Sequence, residues 1–175
     1  MENQINQLPE YGKDIKINLQ NLLGEQNQML TNTQILGTAL ACCYATKNLE
    51  LIKIIGSEVK DKLTTEEINA VKIATSLMAM NNIYYRFTHL IEDKEYLQMH
   101  TGLRMKMLNE HKIDKNNFEI FSLAISIING CGMCIDAHSN QLTKHGFSKS
   151  QIQIIAKIAS VINAWSQILT IENFS

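Results

Sequence analysis

A chain of 175 residues and 19.9 kDa has the size of one domain, able to remove about 70% of its unfolded surface from water, and two unrelated domains are not expected. Lys and Arg number 16 against 17 Asp and Glu, a formal charge of -1 with pI near 6.5, so the basic surface that nucleic acid or an anionic membrane selects is excluded. Hydrophobic residues at 45% and charged residues at 19% are globular proportions, the apolar run 120–128 is broken by serine and too short to span a bilayer, and residues 1–16 lack the apolar centre of a secretory signal, so a soluble protein of the reducing cytoplasm is expected.

One proline, Pro9, and eight glycines leave long stretches free of helix breakers, and strand-like alternation is rare, so the class is all-α. In chain order, helical spacing predicts helices at 14–23, 33–46, 49–59, 66–85, 117–129, 131–144 and 149–171, with boundaries good to about four residues. The stretch 92–116, rich in Met, Lys, Asn and His and carrying Gly102, reads as a connector with one or two short helices. Two helix starts share a design. Thr64 with Glu67 and Ser148 with Gln151 are capping boxes, and Leu63 with Ile68 and Phe147 with Ile152 stand at hydrophobic-staple positions. One domain over 1–175 with two related halves, roughly 1–90 and 91–175, is the expectation; chance recurrence of a common cap is the competing reading. In the second half Ile155, Ile158, Ile162, Trp165 and Leu169 form the apolar face of a core helix.

The chemistry concentrates between residues 117 and 138. Gly130 is expected to end one helix and let another begin at Cys131, where free backbone N–H groups and the helix dipole favour a thiolate. A reducing compartment makes a structural disulfide framework improbable, so paired thiols point to redox chemistry or metal. Cys131 and Cys134, three apart, share a helix face and are close enough to close a disulfide, a spacing that also lowers thiol pKa. His138, one turn beyond Cys134, is placed to exchange its proton. Glu119 lies in an otherwise apolar run on a stripe with Ser122, Ser126 and Gly130; partial burial there would suit it to proton transfer near neutrality. Together Glu119, Cys131, Cys134 and His138 make a proton-coupled dithiol site, capable of reducing a peroxide through sulfenic acid and disulfide.

Competing readings attach to the same residues. Zinc could use Cys131, Cys134 and His138 with His145 as fourth ligand, but three ligands would crowd one helix. Haem attachment requires His directly after the second Cys, and Ile135 is there. Cys42 and Cys43, adjacent in an Ala-rich run, are expected to pack in the core. His89, His100, His111 and His145 have no partner at functional spacing. The methionines Met78, Met80, Met99, Met105 and Met107 are read as filling core or subunit contacts, and Arg86 and Arg104 as solvated or structural.

The chain resembles the alkyl hydroperoxide reductase D family, AhpD, within the carboxymuconolactone decarboxylase-like superfamily. The resemblance spans nearly the whole chain: Leu8-Pro-Glu-Tyr-Gly-Lys-Asp-Ile-Lys-Ile-Asn-Leu19, Met80-Asn-Asn-Ile-Tyr-Tyr-Arg86, Gly102-Leu-Arg-Met105, Phe118-Glu119, Asn129-Gly-Cys131-Gly-Met-Cys134, Ala137-His138 and the segment 164–172. It implies an all-helical fold with related halves, a homotrimer, and lipoyl-dependent reduction of alkyl hydroperoxides with no tightly bound cofactor. It also implies that the dithiol regenerates a partner peroxiredoxin, AhpC, and is recycled by dihydrolipoamide on an acyltransferase served by dihydrolipoamide dehydrogenase. Carried over, Cys131 is the proton donor and resolving thiol, Cys134 forms the sulfenic acid and the mixed disulfide, and Glu119 and His138 relay protons. The dipole argument favours Cys131 as the more acidic thiol; a one-turn Cys134–His138 contact is expected to outweigh a dipole term of at most ~2 kcal/mol. Some family members carry His directly before the second Cys, where this chain has Met133, so slower peroxide reduction with disulfide exchange retained is expected. The alternatives are a non-catalytic thiol adaptor or sensor, and a decarboxylase-like enzyme or inert scaffold that would leave the Cys131/Cys134 pair without a role.

Overall fold

The computed structural model describes residues 1–174, which are helical and contain no strand. Eight α-helices follow one another: α1 (Glu2–Asn6), α2 (Lys13–Leu23), α3 (Asn32–Thr46), α4 (Leu49–Val59), α5 (Thr65–Leu90), α6 (Lys115–Asn129), α7 (Gly132–Lys144) and α8 (Lys149–Glu172). The connector before α6 holds two single-turn 3₁₀ segments, Lys94–Leu97 and Lys106–Asn109. Differences from the sequence expectation are local. Five-residue α1 had no periodic signal to announce it. Helix α5 runs five residues past the expected end at 85, to Leu90, with Thr88 buried in the added turn. Cys131 is the N-cap of α7 with extended backbone, so the helix proper begins at Gly132.

Caps fix the starts. Thr64 and Ser148 accept from the N–H of Glu67 and Gln151 while those side chains return to the cap N–H. A third reciprocal box, Thr31 with Gln34, opens α3 and is legible in the sequence as the same Thr-x-x-Gln pattern. Gly130 ends α6 at φ +66° and ψ 37°, and the following Cys131 N–H bonds back to the Ser126 carbonyl. This left-handed turn reverses the chain within two residues and sets α7 against α6.

At the centre lies α3, with every residue from Ile35 to Cys43 buried, packed against α5, α6 and α8. Its small residues permit close approach: a Cβ on Gly37 would stand 2.3 Å from the ring of Phe121 on α6. Helix α8 lays Ile155, Ile158, Ile162 and Trp165 into the same core. By length and composition α8 also suffices to cross a membrane, beyond the run the sequence reading weighed, but these side chains face α3 and α6 instead of lipid. Asn48 fastens the edge, capping α4 through the Leu51 N–H and donating to the Ser166 carbonyl of α8 at 3.0 Å.

Candidate active site

Helices α6 and α7, antiparallel across the Gly130 turn, bring the four sequence-predicted residues together. Cys131 and Cys134 form a disulfide with Cα atoms 5.4 Å apart, as the placement of one at the N-cap and the other in the first turn allows. Cys131 is wholly buried, whereas Cys134 keeps 7% of its surface open. Glu119, at the opposite end of α6, meets His138 from α7: the imidazole Nδ1 lies 2.6 Å from the carboxylate Oε2. Both side chains are partly buried, at 25% and 16% exposure, where a carboxylate–imidazole hydrogen bond is little screened.

One expected contact is absent. The imidazole does not hydrogen-bond Cys134 in the disulfide state; its second nitrogen, Nε2, faces the Met78 Sδ at 3.4 Å. Helix α5, packed across α6 and α7, supplies that sulfur. Asn82, one turn beyond Met78, donates from Nδ2 to the Ser126 hydroxyl at 3.0 Å, and its Oδ1 accepts from Asn129 Nδ2 at 2.9 Å. A further turn on, the Arg86 guanidinium donates to the Asn129 carbonyl at 2.6 Å, two residues before Cys131. Met78 is therefore more than core filling, and Arg86, half-buried, has a structural role through the Asn129 carbonyl and no ion pair among the described residues: both brace the site from α5. In the sequence Met78, Asn82 and Arg86 share one helical face, a spacing that does not disclose what that face meets.

The remaining candidates fall outside this cluster or at its edge. Burial raises both the Cys42 and Cys43 thiols well above their usual pKa, and neither is disulfide-bonded, in keeping with core packing. His111 stacks on Phe118 with ring centroids 4.2 Å apart and feels the charge of Glu119. Burial lowers its pKa, with Lys115 acting in the same direction, against Glu119 and Asp114, which raise it. His145 pairs with Asn116 at 2.6 Å, and His100 accepts from the Gly102 N–H at 3.2 Å. Among the described residues no three His, Cys, Asp or Glu side chains gather as a metal site; His138 and His145 face Glu119 and Asn116 and do not converge on the cysteines.

Chemically, the site joins a cleavable S–S bond to a carboxylate–imidazole pair that can hold or release one proton. The two cysteines differ slightly in burial, Cys131 closed off altogether and Cys134 retaining a small exposed area.

Comparison with known proteins places this arrangement in a lineage. Residues 94–173 match the Carboxymuconolactone decarboxylase family, a span holding all four site residues. A Coxiella burnetii protein named alkyl hydroperoxide reductase AhpD is 51% identical over 168 residues, 95% of each chain. Proteins of the same name from Rhizorhabdus wittichii and Maricaulis maris are 45% identical over 90% of each chain and 42% identical over 96% of each chain. The chain belongs to the alkyl hydroperoxide reductase AhpD family, within the carboxymuconolactone decarboxylase-like superfamily.

Proposed function

We propose that this protein is an antioxidant dithiol oxidoreductase that reduces alkyl hydroperoxides and regenerates an AhpC-type peroxiredoxin, with dihydrolipoamide as its reducing cosubstrate. The observation that carries the reading is the convergence of the Cys131–Cys134 disulfide and the Glu119–His138 pair across one helical turn. The names of the relatives supply the peroxide chemistry.

In the reduced enzyme Cys134 acts as thiolate on the O–O bond. An S–O bond forms as the O–O bond breaks, and the alkoxide leaves as alcohol with a proton from the Glu119–His138 pair. The Cys131 sulfur then attacks the sulfenic sulfur, an S–S bond forms, and hydroxide departs as water with the Cys131 proton. Two thiols of dihydrolipoamide return two electrons and two protons and become the lipoamide disulfide, a sequence of thiol–disulfide exchanges through a mixed disulfide on Cys134. The greater exposure of Cys134 supports its place as the attacked sulfur. The dipole at the α7 N-terminus acts on both sulfurs, which lie at its N-cap and first turn.

On this reading the lipoyl group arrives on an acyltransferase and is re-reduced by dihydrolipoamide dehydrogenase, in the cytoplasm, and the enzyme works as a homotrimer with no tightly bound cofactor. Steady-state turnover of an alkyl hydroperoxide with dihydrolipoamide is the test. Wild type is expected to turn over and Cys134→Ser to lose both this reaction and peroxiredoxin reduction. Full activity in Cys134→Ser defeats the assignment, and a wild-type disulfide that forms without any turnover favours the adaptor or sensor.

A further inference from the structure

Two helix termini of opposite polarity meet at the corner that carries the dithiol. The N-terminus of α7 presents its partial positive charge to Cys131 and Cys134, which favours a thiolate; the C-terminus of α6, ending at Asn129, presents a partial negative charge from the other side, which opposes one. Among the last four carbonyls of α6, those of Ser126 and Ile127 accept from the Cys131 and Gly130 N–H groups, each at 3.1 Å, so the turn itself satisfies them. The Asn129 carbonyl, two residues ahead of Cys131, accepts instead from the Arg86 guanidinium on α5, at 2.6 Å. Arg86 is half-buried and forms no ion pair among the described residues. Anchoring alone does not call for a cation at this place, because Asn129 is already tied to α5 through its Nδ2 and the Asn82 Oδ1 at 2.9 Å, with Asn82 donating in turn to the Ser126 hydroxyl.

We propose that Arg86 is a positioning residue for the redox reaction: its cation, set on the Asn129 carbonyl, offsets the negative end of α6, so that the α7 dipole governs the dithiol and favours the thiolate that attacks. This rests on the dithiol reading of Cys131 and Cys134. A guanidinium carries its charge across the whole working range of pH, so the bias stays constant while the thiols titrate. On the elements that pack with α7, the other titratable or charged groups nearest the corner along the chain are Glu119 on α6, Asp136 and His138 on α7 itself, Tyr85 and His89 on α5, and Lys149 at the head of α8; His111 of the connector acts on Glu119. All of these are shared by wild type and the variants that test the proposal, so a difference between profiles belongs to Arg86.

The test is the pH profile of alkylation of Cys131 and Cys134 in the reduced, full-length protein, read residue by residue by peptide mass spectrometry. Wild type is expected to show one of the two thiols titrating below the ordinary cysteine value of about 8.5. Arg86→Gln keeps a hydrogen-bond donor for the carbonyl and loses the charge; it is expected to move that midpoint upward and to slow alkylation at neutral pH by at least about threefold. Arg86→Lys restores the charge and is expected to bring the profile most of the way back to wild type. A merely structural brace predicts an unchanged midpoint in a folded Arg86→Gln protein, and that result overturns the proposal. So does a wild-type pair in which neither thiol titrates below the ordinary value, an outcome that requires no variant to fold. Neither peroxide nor a lipoyl reductant enters the measurement. Thiol acidity that depends on Arg86, in a protein inert toward alkyl hydroperoxide, therefore counts against the dithiol reading, whereas turnover with a profile indifferent to Arg86 counts against Arg86.

Discussion

Four cysteines in one chain divide by backbone placement. Cys42 and Cys43 sit mid-helix in α3, surrounded by core, where desolvation disfavours the thiolate; Cys131 and Cys134 sit where a helix begins, with a carboxylate and an imidazole close by. Spacing in the sequence was enough to separate the pairs, because a cysteine three residues from another beside a glycine break has few purely structural uses. His111 adds a pH effect at this scale. Burial holds its pKa below the ordinary value of 6.5, so the folded state resists protonation that the unfolded chain accepts. Its contribution to stability is fully present above pH 6.5 and is lost as pH falls through the lower folded value. His111→Phe, which retains a ring to stack on Phe118, is expected to flatten the decline in denaturation midpoint between about pH 7 and pH 5; parallel curves for the two proteins would contradict this.

At the scale of elements, the closest packing lies between α3 and α6. Gly37→Ala would drive a methyl into the Phe121 ring and is expected to cost about 1–3 kcal/mol, measured by urea denaturation. Pairing it with Phe121→Leu is expected to recover part of that loss, since the two substitutions share one contact; strict additivity would contradict the clash. The helices themselves were largely legible, because caps and apolar spacing are local signals: the 49–59 helix was read at its observed bounds, and the Thr64 and Ser148 boxes fell where they were expected. Glu119, Cys131, Cys134 and His138 were legible too, lying within twenty residues on two adjoining helices. The part played by Met78 was not, since the sulfur reaches His138 across 60 residues of sequence and Arg86 reaches Asn129 across 43. No periodicity records a contact between separate helices, and a buried methionine has the same pattern whether it only fills space or also meets a polar group.

Over the whole molecule, helix lengths run 15, 11 and 26 residues in α3 to α5 and 15, 13 and 24 in α6 to α8. We read this as two related halves, in which the corner equivalent to Gly130–Cys131 is Lys47–Asn48, also left-handed at Lys47 with φ 60°. There Asn48 caps a helix and fastens α8, where the second half has a thiol. The outer face of α5 exposes Ile83, Phe87 and Leu90 at helical spacing, and Tyr96 packs edge-on against Phe87 from the connector. We propose this apolar stripe as the contact surface of the homotrimer proposed above. Leu90→Arg is expected to shift the protein toward monomer in sedimentation velocity, with the reduced dithiol still reactive; an unchanged mass would show that the stripe is not the contact.

The most direct test of the redox pair is peptide mass spectrometry with two alkylating reagents. Reduced protein receives one equivalent of an alkyl hydroperoxide and is alkylated, then treated with dihydrolipoamide and a second, heavier reagent. Heavy label on both Cys131 and Cys134, and on neither Cys42 nor Cys43, is the expected result and marks a peroxide-formed disulfide that a lipoyl dithiol reopens. Cys131 and Cys134 carrying only the first reagent would mean that the pair ignores peroxide, and would contradict the hydroperoxide reductase reading at its centre.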